Sequence, residues 1–327
     1  MANATPSEVL ERNVRRLYGV PEDVPFETLQ EPLRSYVEYS LGTVDRGRWT
    51  LDELRPFGLR PGFRFFDAGC AYGGYLAAAV EAGAKEVVGI DVNEKYLRIA
   101  RELLPALGVT ARIEQGSLSD RALLQSLGTF DVITCADVIE HVDDVPATIA
   151  NLAAALAPGG LLYLAVPNAH CPSFVRRDPH FQLFGITLLD PPEARQYSRC
   201  VSGSDYYDIG EFHTLERYQD LMRAHGLQVE VINAPADSDG ALVDLRRETL
   251  RLQEEARSFQ DPRLPAELVE KIRSAALQVA AEIQAAIDSC EGTQPWWRFW
   301  SRPGDLRDVL RTYAIPTWHF LGRRVQS

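Results

Sequence analysis

What the sequence lacks narrows the field first. No apolar run is long enough to span a bilayer, and the opening residues, MANATPSEVLERNVRR, have no apolar segment of the kind a secretion signal carries. The expectation is a soluble, cytoplasmic protein. Cysteine is sparse and unpaired in pattern: Cys70, Cys135, Cys171, Cys200 and Cys290 are scattered, with no C-x-x-C spacing. That fits reduced thiols rather than a disulfide scaffold. Positive charge is in deficit, with 34 Lys and Arg against 46 Asp and Glu and a net charge of -12. A duplex nucleic acid partner requires a basic surface to neutralise phosphates, so none is expected. Internal repeats and long low-complexity segments are also missing.

What is present is apolar material for a sizeable core, 46% of 327 residues. The length suits one large domain carrying an insertion. Residues 1–59 read as a helical cap: TPSEVLERNVRRLYG opens on a Ser/Thr cap and closes on Gly19, and a second helical pattern is interrupted by Pro32. From Phe63 strands and helices alternate. FRFFDAG, EVVGIDV, TARIEQG, FDVITCADV and LLYLAVPN read as strands, and VPATIANLAAALAPGG as a helix stopped by Pro-Gly-Gly. This alternation predicts an α/β fold with a doubly wound parallel sheet covered on both faces. After Asn168 an irregular stretch runs to about Phe212. A helix and a strand follow in TLERYQDLMRAHGLQVEVIN, and TWHFLGRRV reads as the last strand. Between them, Leu242, Leu245, Thr249, Leu252 and Ala256, then Leu268, Ile272, Ala276, Val279, Ile283 and Ile287, recur at helical spacing around DPRLP. They predict a helical hairpin within 237–314, flanked by a main domain of 60–236 and 315–327.

FFDAGCAYGGYLAAAV, Phe65 to Val80, joins the first strand to the first helix of the sheet. In a doubly wound fold a nucleotide-like ligand lies against the backbone at this turn. Gly69, Ala71 and Gly73 allow a tight bend and a close approach. Asp91 ends the second strand and is placed to accept hydrogen bonds from ribose hydroxyls. GCAYGG also fits a degenerate G-x-A-x-x-G dinucleotide fingerprint, which would make the chain an NAD-dependent dehydrogenase. Asp67 weighs against that reading. In D-x-G-x-x-x-G the carboxylate would repel a pyrophosphate and attract a positive amine. S-adenosylmethionine carries such an amine, a ribose and an adenine.

With these motifs in family order, FFDAGCAYGG, VVGIDV, IEQGSL, FDVITCADVIEHVDD and LAPGGLLYLAVPN, the chain resembles the class I S-adenosylmethionine-dependent methyltransferases over roughly Arg60 to Asn233 and Trp318 to Arg324. The resemblance implies a Rossmann-like sheet of seven strands, the last antiparallel, with the helical hairpin inserted between strands six and seven. It implies that Asp67, Gly69, Ala71 and Gly73, with Cys70 and Tyr72 in the same turn, line the methionine end of the cofactor. Asp91 would hold the ribose and Val92 lie beside the adenine. Ser117 and Leu118 would flank the adenine, and Asp137 and Val138 would lie under the cofactor. Two positions depart from the family pattern: Ala71 replaces a usual glycine, and Ser117 a common acid.

Methyl transfer to such a cofactor's acceptor chiefly requires alignment and exclusion of water, with a base only where the acceptor loses a proton. ADVIEH resembles the E-x-x-E-H of the ubiquinone-pathway O-methyltransferases, which implies a divalent cation such as magnesium held by Asp137, Glu140 and His141. The competing and preferred reading has Glu140 pairing locally and His141 packing beside the cofactor. The stretch after the fifth strand gathers His170, Arg176, Arg177, His180, Arg195, Tyr197, Arg199, Tyr206, Tyr207 and His213. It reads either as a pocket for a sugar-like, phosphorylated or carboxylated small molecule, or as arginines paired with Asp178, Asp190, Glu193 and Asp205 and tyrosines packed in a loop. His141, His180 and His213 are the candidate bases. QPWWRFW, Gln294 to Trp300, and the hairpin's apolar stripes need cover, which packing onto the body or a homodimer would supply. O-methylation of a small molecule is the leading expectation. N-methylation on the same scaffold, and a module that binds the cofactor without catalysis, are the alternatives.

Overall fold

The computed structural model describes residues 4–204, 206–236, 238–290 and 305–325, so the Trp-rich segment lies outside the described residues. Strands β1 (Arg64–Ala68), β2 (Glu86–Asp91), β3 (Arg112–Gln115), β4 (Phe130–Ala136), β5 (Leu156–Pro167), β6 (Leu227–Val231) and β7 (Thr317–Arg324) form one seven-stranded sheet in the order β3-β2-β1-β4-β5-β7-β6. The first strands pair in parallel, with Asp67 level with Gly89 on β2 and with Thr134 on β4. β7 is antiparallel, as expected of the Rossmann-like methyltransferase architecture. The winding direction reverses between β1 and β4, which makes their carboxyl ends the place for a ligand. Phe65, Phe66, Val88 and Ile90 are wholly inaccessible, as befits parallel strands covered on both faces.

Packing divides the chain into two compact units. The first comprises Met1–Leu164, Asp220–Val229 and Phe320–Ser327. It contains α1 (Pro6–Tyr18), α2 (Leu33–Leu41), α3 (Thr43–Leu54), α4 (Gly74–Glu81), α5 (Glu94–Ala106), α6 (Arg121–Ser126) and α7 (Val145–Ala155). The sequence signals for α1 hold: Thr5 and Glu8 form a capping box and Gly19 is the left-handed cap. Pro32 does not interrupt a helix but immediately precedes α2. The apolar stripe of α1, Leu10 and Val14, with Val20 and Val37, packs against Tyr72, Ile99 and Leu103. The N-terminal helices therefore share a core with α5 and with the turn that precedes α4. The stop after α7 acts earlier than its Pro-Gly-Gly suggests. Leu156 is already extended, with ψ 136°, and β5 starts there, so Pro158, Gly159 and Gly160 lie within the strand.

The second unit comprises Ala165–Gln219 and Glu230–His319. Here the stretch expected to be irregular contains α8 (Pro172–Arg176) and α9 (Pro191–Ser202), followed by α10 (Leu215–Ala224), which passes out of the unit. The signals for α9 are local and legible: Asp190 caps it by accepting from the Glu193 N–H at 3.0 Å, prolines occupy the first turn, and Gly203 ends it. The hairpin is α11 (Ser238–Ser258) and α12 (Ala266–Cys290), with α13 (Leu306–Tyr313) after it, all between β6 and β7 in chain order. Leu245, Leu252, Ala276, Ile283 and Ile287 form one core with Val175 of α8. Each fully buried Leu or Ile contributes about 1.5–3 kcal/mol. Exposed ion pairs such as Arg247–Asp244 contribute about 0–1 kcal/mol, so the stripes rather than the charges hold the hairpin. Among the described residues no helix is long and apolar enough to cross a membrane.

Candidate active site

The turn after β1 is built by its own backbone. Gly69 and Cys70 donate their N–H groups to the Ile90 carbonyl at 2.8 and 2.9 Å, and Gly73 donates to Cys70 at 2.7 Å. Gly69 has φ +88°, and a Cβ placed there would come 2.3 Å from Cγ2 of Val138. At Gly73, with φ +81°, a Cβ would meet Leu104 at 3.0 Å. The small residues are thus demanded first by the protein itself, not only by a ligand. Ala71 also lies in the left-handed region, at φ 41°. The side chains of Cys70 and Tyr72 are buried, and the Tyr72 hydroxyl lies 3.2 Å from Ser40 Oγ. Anything these two residues give a ligand comes from their backbone.

Two acids flank the turn. Asp91 accepts from the Ala71 N–H at 2.9 Å on Oδ2 and from the Asn93 N–H at 2.7 Å on Oδ1. It fixes the turn and still leaves each oxygen a second lone pair for a hydroxyl. Burial raises its carboxyl above the usual range, offset by those two N–H groups and by the imidazole of His141. Asp67 is 3% exposed and accepts from Thr134 Oγ1 at 2.8 Å, the contact that their register dictates. Burial pushes its carboxyl up to about 7, against the Thr134 hydrogen bond and with help from the charge of Asp91. A buried carboxyl raised in this way gains most from a cation. Beyond β2, Val92 is 67% exposed, an apolar surface suited to a flat aromatic base. Asn93 caps α5 through the Lys95 N–H. In the loop after β3, Ser117 Oγ lies 2.7 Å from Ser119 Oγ, Leu118 is buried, and Asn151 donates to the Leu118 carbonyl at 3.0 Å. This one edge thus presents a buried, raised carboxyl, a second carboxylate with lone pairs to spare and an exposed apolar side chain.

At the end of β4, Asp137 holds φ 54° and accepts the Tyr39 hydroxyl at 2.7 Å. Glu140 is buried, and it and His141 offer an oxygen and a nitrogen within 4.8 Å of each other. Among the described residues Asp137 does not join them in a converging ligand cluster.

In the second unit many of the residues gathered for an acceptor pocket have structural employment. Arg176 reaches Glu248 at 2.5 Å and Glu255 at 2.6 Å on α11, not the four acids expected from the sequence. Glu193 binds Lys271, and Asp178, 1% exposed, accepts from the backbone N–H groups of His180, Phe181 and Leu183. Tyr197 and Tyr207 are core residues, Tyr207 stacking on Phe181 with ring centroids 4.9 Å apart. The Nδ1 atom of His180 is 3.7 Å from Asp178, and that of His213 is 3.8 Å from Glu211. His170 is half-buried, and burial lowers its imidazole below the ordinary value against the pull of Glu282. Sequence reasoning missed Thr134 and Tyr39. Strand register alone could have supplied the first. The second comes from 98 residues away with no local signal.

Residues 34–231 match the family model described as a methyltransferase domain, more than half the chain. The chain belongs to this family. The methyltransferase is class I and uses S-adenosylmethionine as its cofactor. Among its relatives, a ubiquinone biosynthesis O-methyltransferase of Thiobacillus denitrificans is 35% identical over 207 residues, 61% of this chain and 88% of the relative. Another of the same name, from Aromatoleum aromaticum, is 34% identical over 181 residues, 54% of this chain and 74% of the relative. Among solved structures, the magnesium protoporphyrin IX methyltransferase of Synechocystis with bound SAH is 19% identical, with a TM-score of 0.44 over 67% of this chain and 84% of that one. The α11–α12 hairpin of this methyltransferase lies outside the family match.

Proposed function

We propose that this methyltransferase transfers a methyl group to a hydroxyl oxygen of a small-molecule acceptor. The observation that carries the choice of oxygen is the 35% identity to a relative named as an O-methyltransferase. In this reading Asp67 receives the cofactor's amine and Asp91 its ribose, while the exposed Val92 lies beside the adenine. The bound cofactor supplies an electrophilic methyl on a sulfonium whose departure needs no further activation. The chain's work is then to hold, to align and to keep water out.

The acceptor's hydroxyl proton needs a base, and we assign it to His180 ahead of His141 and His213. Asp178 supports that choice: buried and 3.7 Å from Nδ1, it favours a proton on that nitrogen, the tautomer in which Nε2 is the basic one. With Arg176 held by two glutamates, an anionic group on the acceptor would have to rely on Arg177 or Arg195.

The test uses the full chain with S-adenosylmethionine and a panel of hydroxylated probes, including 3,4-dihydroxybenzoate and a free sugar, in EDTA. The expected result is release of S-adenosylhomocysteine together with a methyl ether identified by mass spectrometry. His180→Ala should lower kcat about 100-fold and leave S-adenosylhomocysteine affinity intact. Cofactor binding with no methyl release from any probe would favour a cofactor-binding module. Methylation at nitrogen alone would overturn the choice of oxygen.

A further inference from the structure

Tyr39 of α2 is 48% exposed, yet it is fixed at several points. Its hydroxyl donates to Asp137 Oδ2 at 2.7 Å. The guanidinium of Arg46, on α3, lies 3.5 Å from the ring centroid, and Arg46 also donates to the Tyr39 carbonyl. Asp137 in turn holds a left-handed φ of 54°, a conformation that persists only where the surroundings impose it. The next residue, Val138, lies where a Cβ on Gly69 would be, 2.3 Å from its Cγ2. An unbroken series of contacts therefore runs from α2 through Asp137 and Val138 to the first glycine of the turn. A half-exposed ring gains little from burial, so packing alone does not account for so constrained a tyrosine.

We infer that Tyr39 is a positioning residue for the cofactor: its hydroxyl sets the Asp137 carboxylate, and with it the end of β4, in the orientation the cofactor meets. Arg46 holds the ring that carries the hydroxyl. The N-terminal helices then belong to the binding machinery and are not a detachable cover. This rests on the reading of the turn after β1 as the cofactor site.

The experiment is a double-mutant cycle by calorimetry with S-adenosylhomocysteine, in EDTA, on the full chain. Tyr39→Phe removes one hydroxyl from a half-exposed ring. Asp137→Asn keeps a residue that tolerates positive φ. Tyr39→Phe should weaken binding about fivefold and Asp137→Asn about tenfold or more. The double variant should bind no more weakly than Asp137→Asn, because the hydroxyl acts only through the carboxylate. Thermal midpoints should stay within a few degrees of wild type; should Asp137→Asn fail to fold, Arg46→Met replaces it and should weaken binding about twofold. Wild-type affinity in Tyr39→Phe, losses that multiply in the double variant, or full affinity in Arg46→Met would each overturn the inference. Absence of heat from the wild-type chain would overturn the parent reading and this one with it, whereas the other failures leave the parent reading standing.

Discussion

The turn after β1 and the stretch after β5 are both rich in the residue types of a binding site, and they spend those residues differently. At the turn, Asp91 uses one lone pair of each oxygen on backbone N–H groups, and Asp67 takes a single hydroxyl, so both retain capacity for a ligand. After β5, Arg176 is held between Glu248 and Glu255, Asp178 accepts from three backbone N–H groups of its own loop, and Tyr197 and Tyr207 are core. Density of polar and aromatic residues is thus a poor guide to a site. Unspent hydrogen-bonding capacity on a braced group is a better one.

The largest effect that would sharpen this contrast is expected from Asp91→Ala. It removes two braces of the turn and, in the proposed reading, the acceptors for the ribose, each hydrogen bond to a charged group being worth about 1.5–3 kcal/mol. Affinity for S-adenosylhomocysteine should fall 100-fold or more, on the order of 3 kcal/mol, by calorimetry. Arg176→Met, in contrast, should lower stability by about 1–3 kcal/mol in urea titration, because two half-buried carboxylates lose their partner, while cofactor affinity stays the same. Equal loss of affinity in the two variants would break the comparison.

Gly69→Ala comes next. The added methyl meets Val138 in a backbone conformation that disfavours it, so a destabilisation of about 2–3 kcal/mol is expected. Adding Val138→Ala should recover part of that loss. No recovery would mean that strain in φ, not the clash, decides the residue.

The smallest effect concerns pH. Asp67 titrates near 7 in the folded chain and near 3.8 when unfolded, so between those values the folded state holds the extra proton. Stability of the ligand-free protein from this group is therefore greatest at low pH, declines as pH rises from about 4 to about 7, and then levels off. Asp67→Asn should flatten that decline and raise the thermal midpoint at pH 8 by a few degrees. Binding of the cationic cofactor should run the other way, strengthening in wild type as pH rises through 7. A thermal profile that is parallel in the two proteins would remove Asp67 from this role.

The fold was largely legible because its signals are local. Seven apolar strand runs, the cap at Thr5 and the spacing of Leu245, Leu252, Ile283 and Ile287 each declare an element within a few turns of chain. Even α9, expected as irregular, carries its Asp190-Pro-Pro start and Gly203 stop in plain view. Partnerships between distant residues were not legible. Nothing near Arg176 announces two glutamates on α11, and nothing near Tyr39 announces Asp137. The glycine turn was placed correctly but explained incompletely, since the neighbour that excludes a side chain at Gly69 is a valine from the far side of β4. Such demands arise only once strands are side by side.

The order of the sheet also bears on how the chain acquires its structure. β7 lies between β5 and β6, and α11, α12 and α13 intervene in the chain before it. During synthesis β6 therefore emerges with no hydrogen-bonding neighbour and stays an open edge until residues 317–324 have been made. The central strands can assemble early from nearby segments, but that last slot closes late and over a long separation, which makes it the slow and aggregation-exposed step of maturation.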